Sequence, residues 1–278
     1  MGSRSSIVLA LAIALGSCPA AVASHATTVG PHTVTARSGN WLVQFRYTQH
    51  TNAGPSYSKL HLRLLHGGTV ALDMPVTSAQ GNIGLEPAGG KSPVSFHDLN
   101  GDGSPELILD LYTGGAHCCY LSQIFNLADS PPRKLEHEWG DPGYVTTRID
   151  GRTLLRSNDD RFAYAFTDYA DSAFPIQLLG YTGQRLNDVT RSYPKLVAGD
   201  AKTLWRGYLR AAPKTGDVRG VLAGWAADEA MLGHAASARQ KLLALARAGA
   251  LNQGSGGAKG SSYVRALWKF LTKLGYVP

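Results

Sequence analysis

The feature that most constrains the fold of this chain is a change of hydrophobic period near residue 195. Before it, apolar and polar residues alternate in short segments such as 43–47 and 60–64. Because successive side chains of a strand point to opposite faces, this alternation predicts half-buried β-strands. After it, apolar residues return at helical spacing, which predicts amphipathic helices. The sequence therefore predicts an all-β N-terminal body followed by a small C-terminal helical bundle.

Further strands of the body are predicted between clusters of Gly, Pro and Asp. They cover residues 106–112, 122–126, 162–166 and 176–181. Many short antiparallel strands with regular breaks are typical of a sandwich or of propeller-blade-like sheets.

A weak internal repeat favours the propeller-like arrangement. Residues 102–107 and 150–155 both begin with Asp-Gly, and each segment leads into a predicted strand. The distance between the two copies suits one propeller blade. Two copies are too few for a whole propeller, so we expect a truncated or sandwich-like relative. Chance repetition of an Asp-Gly turn is the alternative.

The C-terminal part is predicted to hold four helices. Asp200 is the predicted N-cap of the first, which ends at Pro213, and Asp217 starts the second. The third covers residues 236–248, and Ser262 opens the last. Their apolar stripes should pack together as a bundle against the β body.

The first 23 residues have the layout of a secretory signal peptide. Arg4 precedes an apolar run over residues 7–15, and an Ala-x-Ala cleavage site follows at residues 21–23. The run is too short to cross a bilayer. The predicted organisation is then a signal peptide over residues 1–23, a β-rich body over 24–195 and a basic helical domain over 196–278.

A second interpretation of the leader depends on Cys18. Residues 15–18 read Leu-Gly-Ser-Cys and resemble a bacterial lipoprotein box, in which Cys18 would carry the lipid anchor. We favour free secretion, because Gly and Ser before the cysteine are tolerated in such boxes rather than ideal. In both cases the mature chain is predicted to leave the cytoplasm.

Residues 98–106 read Asp-Leu-Asn-Gly-Asp-Gly-Ser-Pro-Glu and place oxygen donors at alternating positions. Calcium takes about six to eight oxygen ligands, and Gly103 permits the sharp bend that wraps them around an ion. An EF-hand is not expected, because Leu109 stands where its bidentate Glu should be. A metal-free turn is the alternative. The predicted calcium ligands are Asp98, Asn100, Asp102, the carbonyl of Ser104, and Glu106.

This loop, followed by a strand, resembles the FG-GAP and VCBS-type repeats of secreted bacterial proteins. The resemblance is close over residues 94–112 and only architectural elsewhere. It implies a β-propeller-like architecture, calcium binding, and roles in adhesion or in binding carbohydrate and protein. In the second copy, Arg148 and Leu154 replace two of the oxygen donors. We therefore expect one calcium ion rather than two.

Cys118 and Cys119 are the only cysteines that remain after cleavage at residue 23. Because free thiols are unusual in an oxidising compartment, we favour a structural vicinal disulfide between them. Two buried thiols, a metal site with His117, and a catalytic thiol are the alternatives. A vicinal bridge is strained, since adjacent Cα atoms lie closer than in ordinary disulfides.

Positive charge is concentrated in the helical part of the chain. Residues 196–278 hold 12 Lys and Arg against four Asp and Glu, whereas the rest is nearly neutral. The first and last helices each carry a stripe of cations at every fourth position: Lys202, Arg206 and Arg210, and Arg265, Lys269 and Lys273. These stripes indicate an anionic cell-wall polymer, glycan or membrane surface as partner. A solvated helix face is the alternative, and no nucleic acid is expected for an exported protein.

No motif typical of catalysis occurs in the sequence. It holds no G-x-S-x-G elbow, no H-E-x-x-H, no P-loop and no G-x-G-x-x-G. The sequence therefore predicts an exported calcium-binding protein that acts as a non-catalytic binding module. The alternative is an extracellular hydrolase with its site in the loops near Asp110, His117 and Asp159.

Overall fold

A computed structural model describes residues 27–52, 54–81, 83–85, 92–115, 118–212, 216–254 and 256–278. The predicted signal peptide, Cys18 and His117 lie outside these ranges. None of the helices in these ranges is both long and apolar enough to span a membrane.

The described part of the body forms three four-stranded antiparallel sheets, and in each of them consecutive strands pair as a meander. The first sheet contains β1 (Thr27–Ser38), β2 (Trp41–Asn52), β3 (Gly54–His66) and β4 (Thr69–Pro75). The second contains β5 (Val94–His97), β6 (Glu106–Gly115), β7 (Cys118–Asn126) and β8 (Arg133–Gly140). The third contains β9 (Val145–Ile149), β10 (Arg152–Asn158), β11 (Ile176–Tyr181) and β12 (Leu186–Asp188). The predicted all-β body is confirmed.

The second sheet lies between the other two and is buried on both faces. Leu107 of β6 shares a core with Phe45 of the first sheet. Its neighbour Ile108 points the other way and shares a core with Leu155 and Leu179 of the third sheet. This double burial explains why residues 106–109 are all buried, whereas exposed strands alternate.

The two Asp-Gly segments occupy equivalent positions in successive sheets. Residues 98–105 connect the first and second strands of the second sheet, and residues 150–151 make the same connection in the third. The repeat detected in the sequence therefore corresponds to the first turn of each meander. The earlier connection is longer, and this leaves room for the acidic loop.

Four α-helices follow the sheets, so the predicted helical C-terminal part is confirmed. They are α1 (Pro194–Ala211), α2 (Arg219–Met231), α3 (Ala235–Arg247) and α4 (Gly260–Lys273). Helix α2 is almost wholly buried and contacts the other three helices. A Cβ added to its Gly220 would stand 2.1 Å from the backbone oxygen of Asp171, so only glycine fits where the helix meets the body.

Two local predictions are wrong. Residues 162–166 do not form a strand, because Phe162 ends a 3-10 turn that starts at Asp160, with the Asp159 side chain accepting the Arg161 N–H. Asp200 is not an N-cap, since α1 already begins at Pro194. Asp200 lies inside the helix, where its carboxylate accepts the N–H of Ile176 on β11.

Candidate functional site

The loop between β5 and β6 is folded around its own acidic and amide side chains. Asp98 accepts the N–H of Gly101 at 2.7 Å and that of Gly103 at 3.1 Å. Asn100 accepts the N–H of Asp102 at 3.0 Å, and Asp102 in turn accepts that of Ser104 at 2.7 Å. The φ angles of Gly101 and Gly103 are +80° and +86°, a region that favours glycine. The alternate spacing seen in the sequence thus produces a chain of side-chain-to-backbone turns.

Glu106 closes this loop from the first position of β6. Its side chain is fully buried, and one carboxyl oxygen, Oε2, accepts the N–H of Leu99 at 2.8 Å. The other oxygen, Oε1, is buried and has no hydrogen-bond partner among the residues that the structure describes. Burial raises the pKa of Glu106 to about 7, and the nearby carboxylates of Asp102 and Asp98 add to the rise. A buried carboxylate oxygen without a donor is unfavourable unless a cation or a proton compensates it.

The chemistry of these donors suits a hard cation, since all are carboxylate, amide or carbonyl oxygens. Over the described ranges, however, no three or more His, Cys, Asp or Glu side chains are already gathered as a metal-binding group. Amide and carbonyl ligands such as those of Asn100 and Ser104 fall outside that class. Calcium binding at this loop therefore stays a prediction.

A cleft of about 490 Å³ lies beside the acidic loop. The acidic loop and the β9–β10 turn form two of its walls. The end of β11, β12 and the residues just before α1 complete the lining. Arg152 lies on the rim and is exposed. Its guanidinium makes no ion pair or hydrogen bond with another described residue, while its backbone pairs with Ile149 of β9. Tyr193, the residue before α1, is half-buried in the same cleft.

Asp110, the first residue of the hydrolase alternative, belongs to a buried network. It accepts hydrogen bonds from Ser122 Oγ at 2.5 Å and from the Tyr144 hydroxyl at 3.0 Å. The indole N–H of Trp139 donates to the same Ser122 oxygen at 2.8 Å. Because Ser122 is fully buried and bonded on both sides, this serine is placed as a structural link between strands.

Asp159, the second acid of that alternative, lies in a different network. Its carboxylate forms an ion pair with Arg161 at 2.6 Å and accepts the Tyr276 hydroxyl at 2.8 Å. Tyr276 follows α4, so this contact ties the C-terminal end of the chain to the body. Asp110 and Asp159 therefore bond to different partners in two separate networks. His117 lies outside the described residues.

Cys119 is buried and takes part in a disulfide bond. Its backbone N–H donates to Thr113 Oγ1 at 2.9 Å. The side chain of Cys118 lies outside the described part of the chain, so the vicinal pairing stays a prediction.

The six cations of the two predicted stripes are all exposed. Helix α1 packs on α2, whereas α4 packs mainly on α3. Arg265 donates to the hydroxyls of Ser261 and Ser262, one turn earlier on α4. The stripes are therefore open to solvent on two separate helices.

A pair of buried carboxyl groups was not predicted from the sequence. Asp228 of α2 is fully buried, and neither of its carboxyl oxygens receives a hydrogen bond. Burial raises its pKa to about 10, and the adjoining Asp200 of α1 adds to this rise. The signal that could have revealed it is an acidic residue at position 228, followed by Glu229, within the otherwise apolar, alanine-rich stretch 221–230.

A second buried charge, that of Arg219, was also missed. Its guanidinium pairs with Asp217 and donates to the carbonyls of Gly256 and Ala258. The arginine thereby holds the glycine-rich segment before α4 against the start of α2. The short Asp-x-Arg spacing was the available signal.

Comparison with known proteins gives one family model, which matches the helical part of this chain, and two relatives, each of which matches over part of its length. Residues 197–275 match the model of the sll0997 C-terminal domain. The chain is 27% identical over 146 residues to the probable thylakoid lumen protein sll0997 of Synechocystis sp. (strain ATCC 27184 / PCC 6803 / Kazusa), covering 50% of this chain and 43% of the relative. It is 29% identical over 138 residues to the uncharacterized protein y4bJ of Sinorhizobium fredii (strain NBRC 101917 / NGR234), covering 46% and 21%. No solved structure matches.

These findings correct the resemblance to FG-GAP and VCBS-type repeats, which is wrong. The matching family is the sll0997 C-terminal domain, and the relative that shares its name is described as a thylakoid lumen protein. The resemblance failed because it depended on one short loop followed by a strand, a combination that unrelated β proteins can share. The chain matches less than half the length of either relative. What the comparisons establish is a similarity of α1 to α4 to the sll0997 C-terminal domain.

Proposed function

We propose that this chain is an extracytoplasmic, non-catalytic binding protein whose loop 98–106 binds one calcium ion. The observation that carries the proposal is Glu106, a fully buried carboxylate with an unpartnered oxygen beside a loop of oxygen donors. A cation in the loop would compensate that oxygen and the charges of Asp98 and Asp102 together.

The proposed ligands are Asp98, Asn100, Asp102, the Ser104 carbonyl and Glu106. Their oxygen donors suit calcium, and an ion would have to draw the three carboxylates together. The N–H bonds accepted by Asp98 and Asp102 fix the direction of their carboxylates without using all of their lone pairs. In the equivalent turn of the third sheet, Arg148 is exposed and Leu154 is buried. That turn therefore lacks two donors, which supports a single ion.

The extracytoplasmic location is supported by the layout of residues 1–23 and by the relative described as a probable thylakoid lumen protein. We propose export with cleavage after residue 23 and release of the mature chain. Lipid anchoring through Cys18 is the competing route. The mass of the mature chain separates the two routes. A chain that begins at a lipid-modified Cys18 is heavier, by the lipid and by residues 18–23, than a chain that begins at residue 24.

The partner surface in this proposal is the pair of exposed cationic stripes on α1 and α4. Exposed cations on two helices suit an anionic cell-wall polymer, glycan or membrane surface. The contacts of Asp110 and Asp159 give no support to the hydrolase alternative, since each carboxylate is already bonded within its own network.

The calcium proposal is tested by thermal unfolding with calcium and with chelator at equal ionic strength. Calcium at a hundred times its dissociation constant should stabilise the folded chain by about 2.7 kcal/mol, which raises the melting temperature by about 5 °C or more. Asp102→Asn should remove this rise. The amide oxygen can still accept the Ser104 N–H, but the charge and the hydrogen bond accepted from the Asn100 amide are lost.

The matched control is Asp150→Asn in the equivalent turn of the third sheet. Asp150 is exposed and has a φ of +49°, a conformation that asparagine also tolerates. It changes the net charge by the same amount, so it should keep the full calcium effect. Equal melting temperatures of the wild type in calcium and in chelator would refute the proposal.

A further inference from the structure

We infer that the cleft beside loop 98–106 binds a small, hydroxyl-rich anion of the sugar-acid class. The inference rests on the proposed binding function and gives it a ligand class. It stands on the shape of the cleft, on a cation at its rim, and on polar groups that have no hydrogen-bond partner among the described residues.

The shape of the cleft suits a small molecule. Its volume of about 490 Å³ falls within the range of about 300–1,000 Å³ that is usual for ligand sites. Leu99, Leu154 and Val189 give it apolar walls. Leu99 belongs to the core between the second and third sheets, Val189 packs against the core that includes Val197 of α1, and Leu154 is buried. A concave site with apolar walls and a polar rim can enclose a ligand and still recognise its polar groups.

The charge of the rim favours an anion. Arg152 is the first residue of β10, and its guanidinium has no acidic partner among the described residues. An unpaired guanidinium can receive a carboxylate through two parallel N–H bonds. Helix α1 has 18 residues and no side-chain cap, and it begins next to the cleft. Its N-terminus therefore adds the positive end of the helix dipole.

Neutral polar groups of the cleft suit hydroxyls. The Ser192 hydroxyl and the Tyr193 hydroxyl make no hydrogen bond with another described residue. The side-chain amide of Asn187 makes one long hydrogen bond, of 3.5 Å, to Thr182 Oγ1. A ligand with a carboxylate and several hydroxyls would use these groups together, and the half-buried Tyr193 ring offers a face to its ring carbons.

Calcium and the ligand should support each other at this site. Asp102 lines the same cleft as the cation Arg152, and its negative charge, when it is uncompensated, repels an anion. A calcium ion in the loop would cancel that repulsion. By linkage, a ligand that binds more tightly with calcium must also increase the affinity for calcium by the same factor.

The test compares cellobiouronate with cellobiose, which differ by one carboxylate, in titrations of the full exported chain. Wild-type protein in calcium should bind cellobiouronate at least about tenfold more tightly than cellobiose, because its carboxylate adds a charge-assisted pair with Arg152. Arg152→Gln should remove that preference. Arg148→Gln is the matched control, because Arg148 is exposed on the neighbouring strand β9 and lies outside the cleft lining.

The outcomes separate this inference from the calcium proposal. Equal affinities for the two sugars, no binding of either, or equal effects of the two arginine variants would overturn the sugar-acid site, even where calcium binding is intact. Cellobiouronate binding that is lost in Arg152→Gln and retained in Arg148→Gln supports it, even if the chain binds no calcium. Circular dichroism of both variants shows that the fold is unchanged.

Discussion

Replacing the buried Asp228 by asparagine should stabilise the protein increasingly as the pH rises. The carboxyl group of Asp228 is fully buried on α2, and it adjoins Asp200, whose carboxylate is bonded to the N–H of Ile176. Two carboxylates cannot both be ionised at such a site, so the folded chain keeps a proton on the pair. Asparagine has the shape of the protonated acid and carries no charge, so it removes the titration with little change in packing.

The magnitude follows from the difference in proton binding. The pKa of Asp228 is raised from 3.8 to about 10 by burial and by Asp200. Between these two values the folded chain binds one more proton than the unfolded chain, so wild-type stability falls by about 1.4 kcal/mol per pH unit from this group. From pH 6 to pH 8 the Asn variant should therefore gain about 3 kcal/mol relative to the wild type.

The assay is urea unfolding of the wild type and the Asp228→Asn variant at pH 6, 7 and 8. Other titrating groups contribute equally to both proteins, so the difference between the two unfolding free energies isolates the buried pair. Asp150→Asn, at an exposed turn, should change nothing. Parallel pH dependences of the wild type and the Asp228→Asn variant would show that the pair does not hold the extra proton, and the reasoning would be refuted.

Two further predictions concern the cysteines and the basic helices. If Cys118 and Cys119 form a vicinal bridge, the intact mass of exported protein will be two hydrogens below that of the reduced form, whereas alkylation of both thiols without reductant would contradict the pairing. If the stripes bind an anionic surface, sedimentation with anionic vesicles or purified cell wall will fall with rising salt and with four substitutions to Gln. Equal sedimentation of variant and wild type would instead identify the stripes as solvated faces. The substituted residues are Lys202, Arg206, Arg265 and Lys269.

The sequence predicted the β body well where one face of a strand is buried and the other exposed. The alternation over 43–47 lies within β2, where Val43 and Phe45 are fully buried and Arg46 is exposed. The same rule failed at 162–166, where aromatic residues also alternate. There Phe162 packs on Phe270 and Phe166 packs on Tyr263, so the alternation arises from contacts with α4 rather than from a strand.

The start of α1 shows a competition between two helix signals. Asp200 has the preference of an N-cap residue, but Pro194 occupies the first turn of the observed helix, another position typical of a helix start. Asp200 serves a tertiary role instead, bonding β11 and adjoining Asp228. Such a role depends on the packing of distant segments and leaves no local pattern.

The two parts of the candidate site differ in how far the sequence could reveal them. The acidic loop is local, so its residue types and spacing predict its turns directly. The cleft is assembled from four segments, with Asp102, Arg152, Asn187 and Tyr193 separated by up to 91 positions in the chain. Only the stacking of the second and third sheets brings them together.

The central claim, one calcium ion in loop 98–106, is tested most directly by equilibrium dialysis with radioactive calcium on the full chain. The account predicts one ion per wild-type chain and per Asp150→Asn chain, and none for Asp102→Asn. It also predicts no bound calcium for Glu106→Gln, because the neutral side-chain amide removes the carboxylate charge at the buried, unpartnered oxygen. Wild-type protein with no bound calcium, or an Asp102→Asn variant that still binds one ion, would contradict the account.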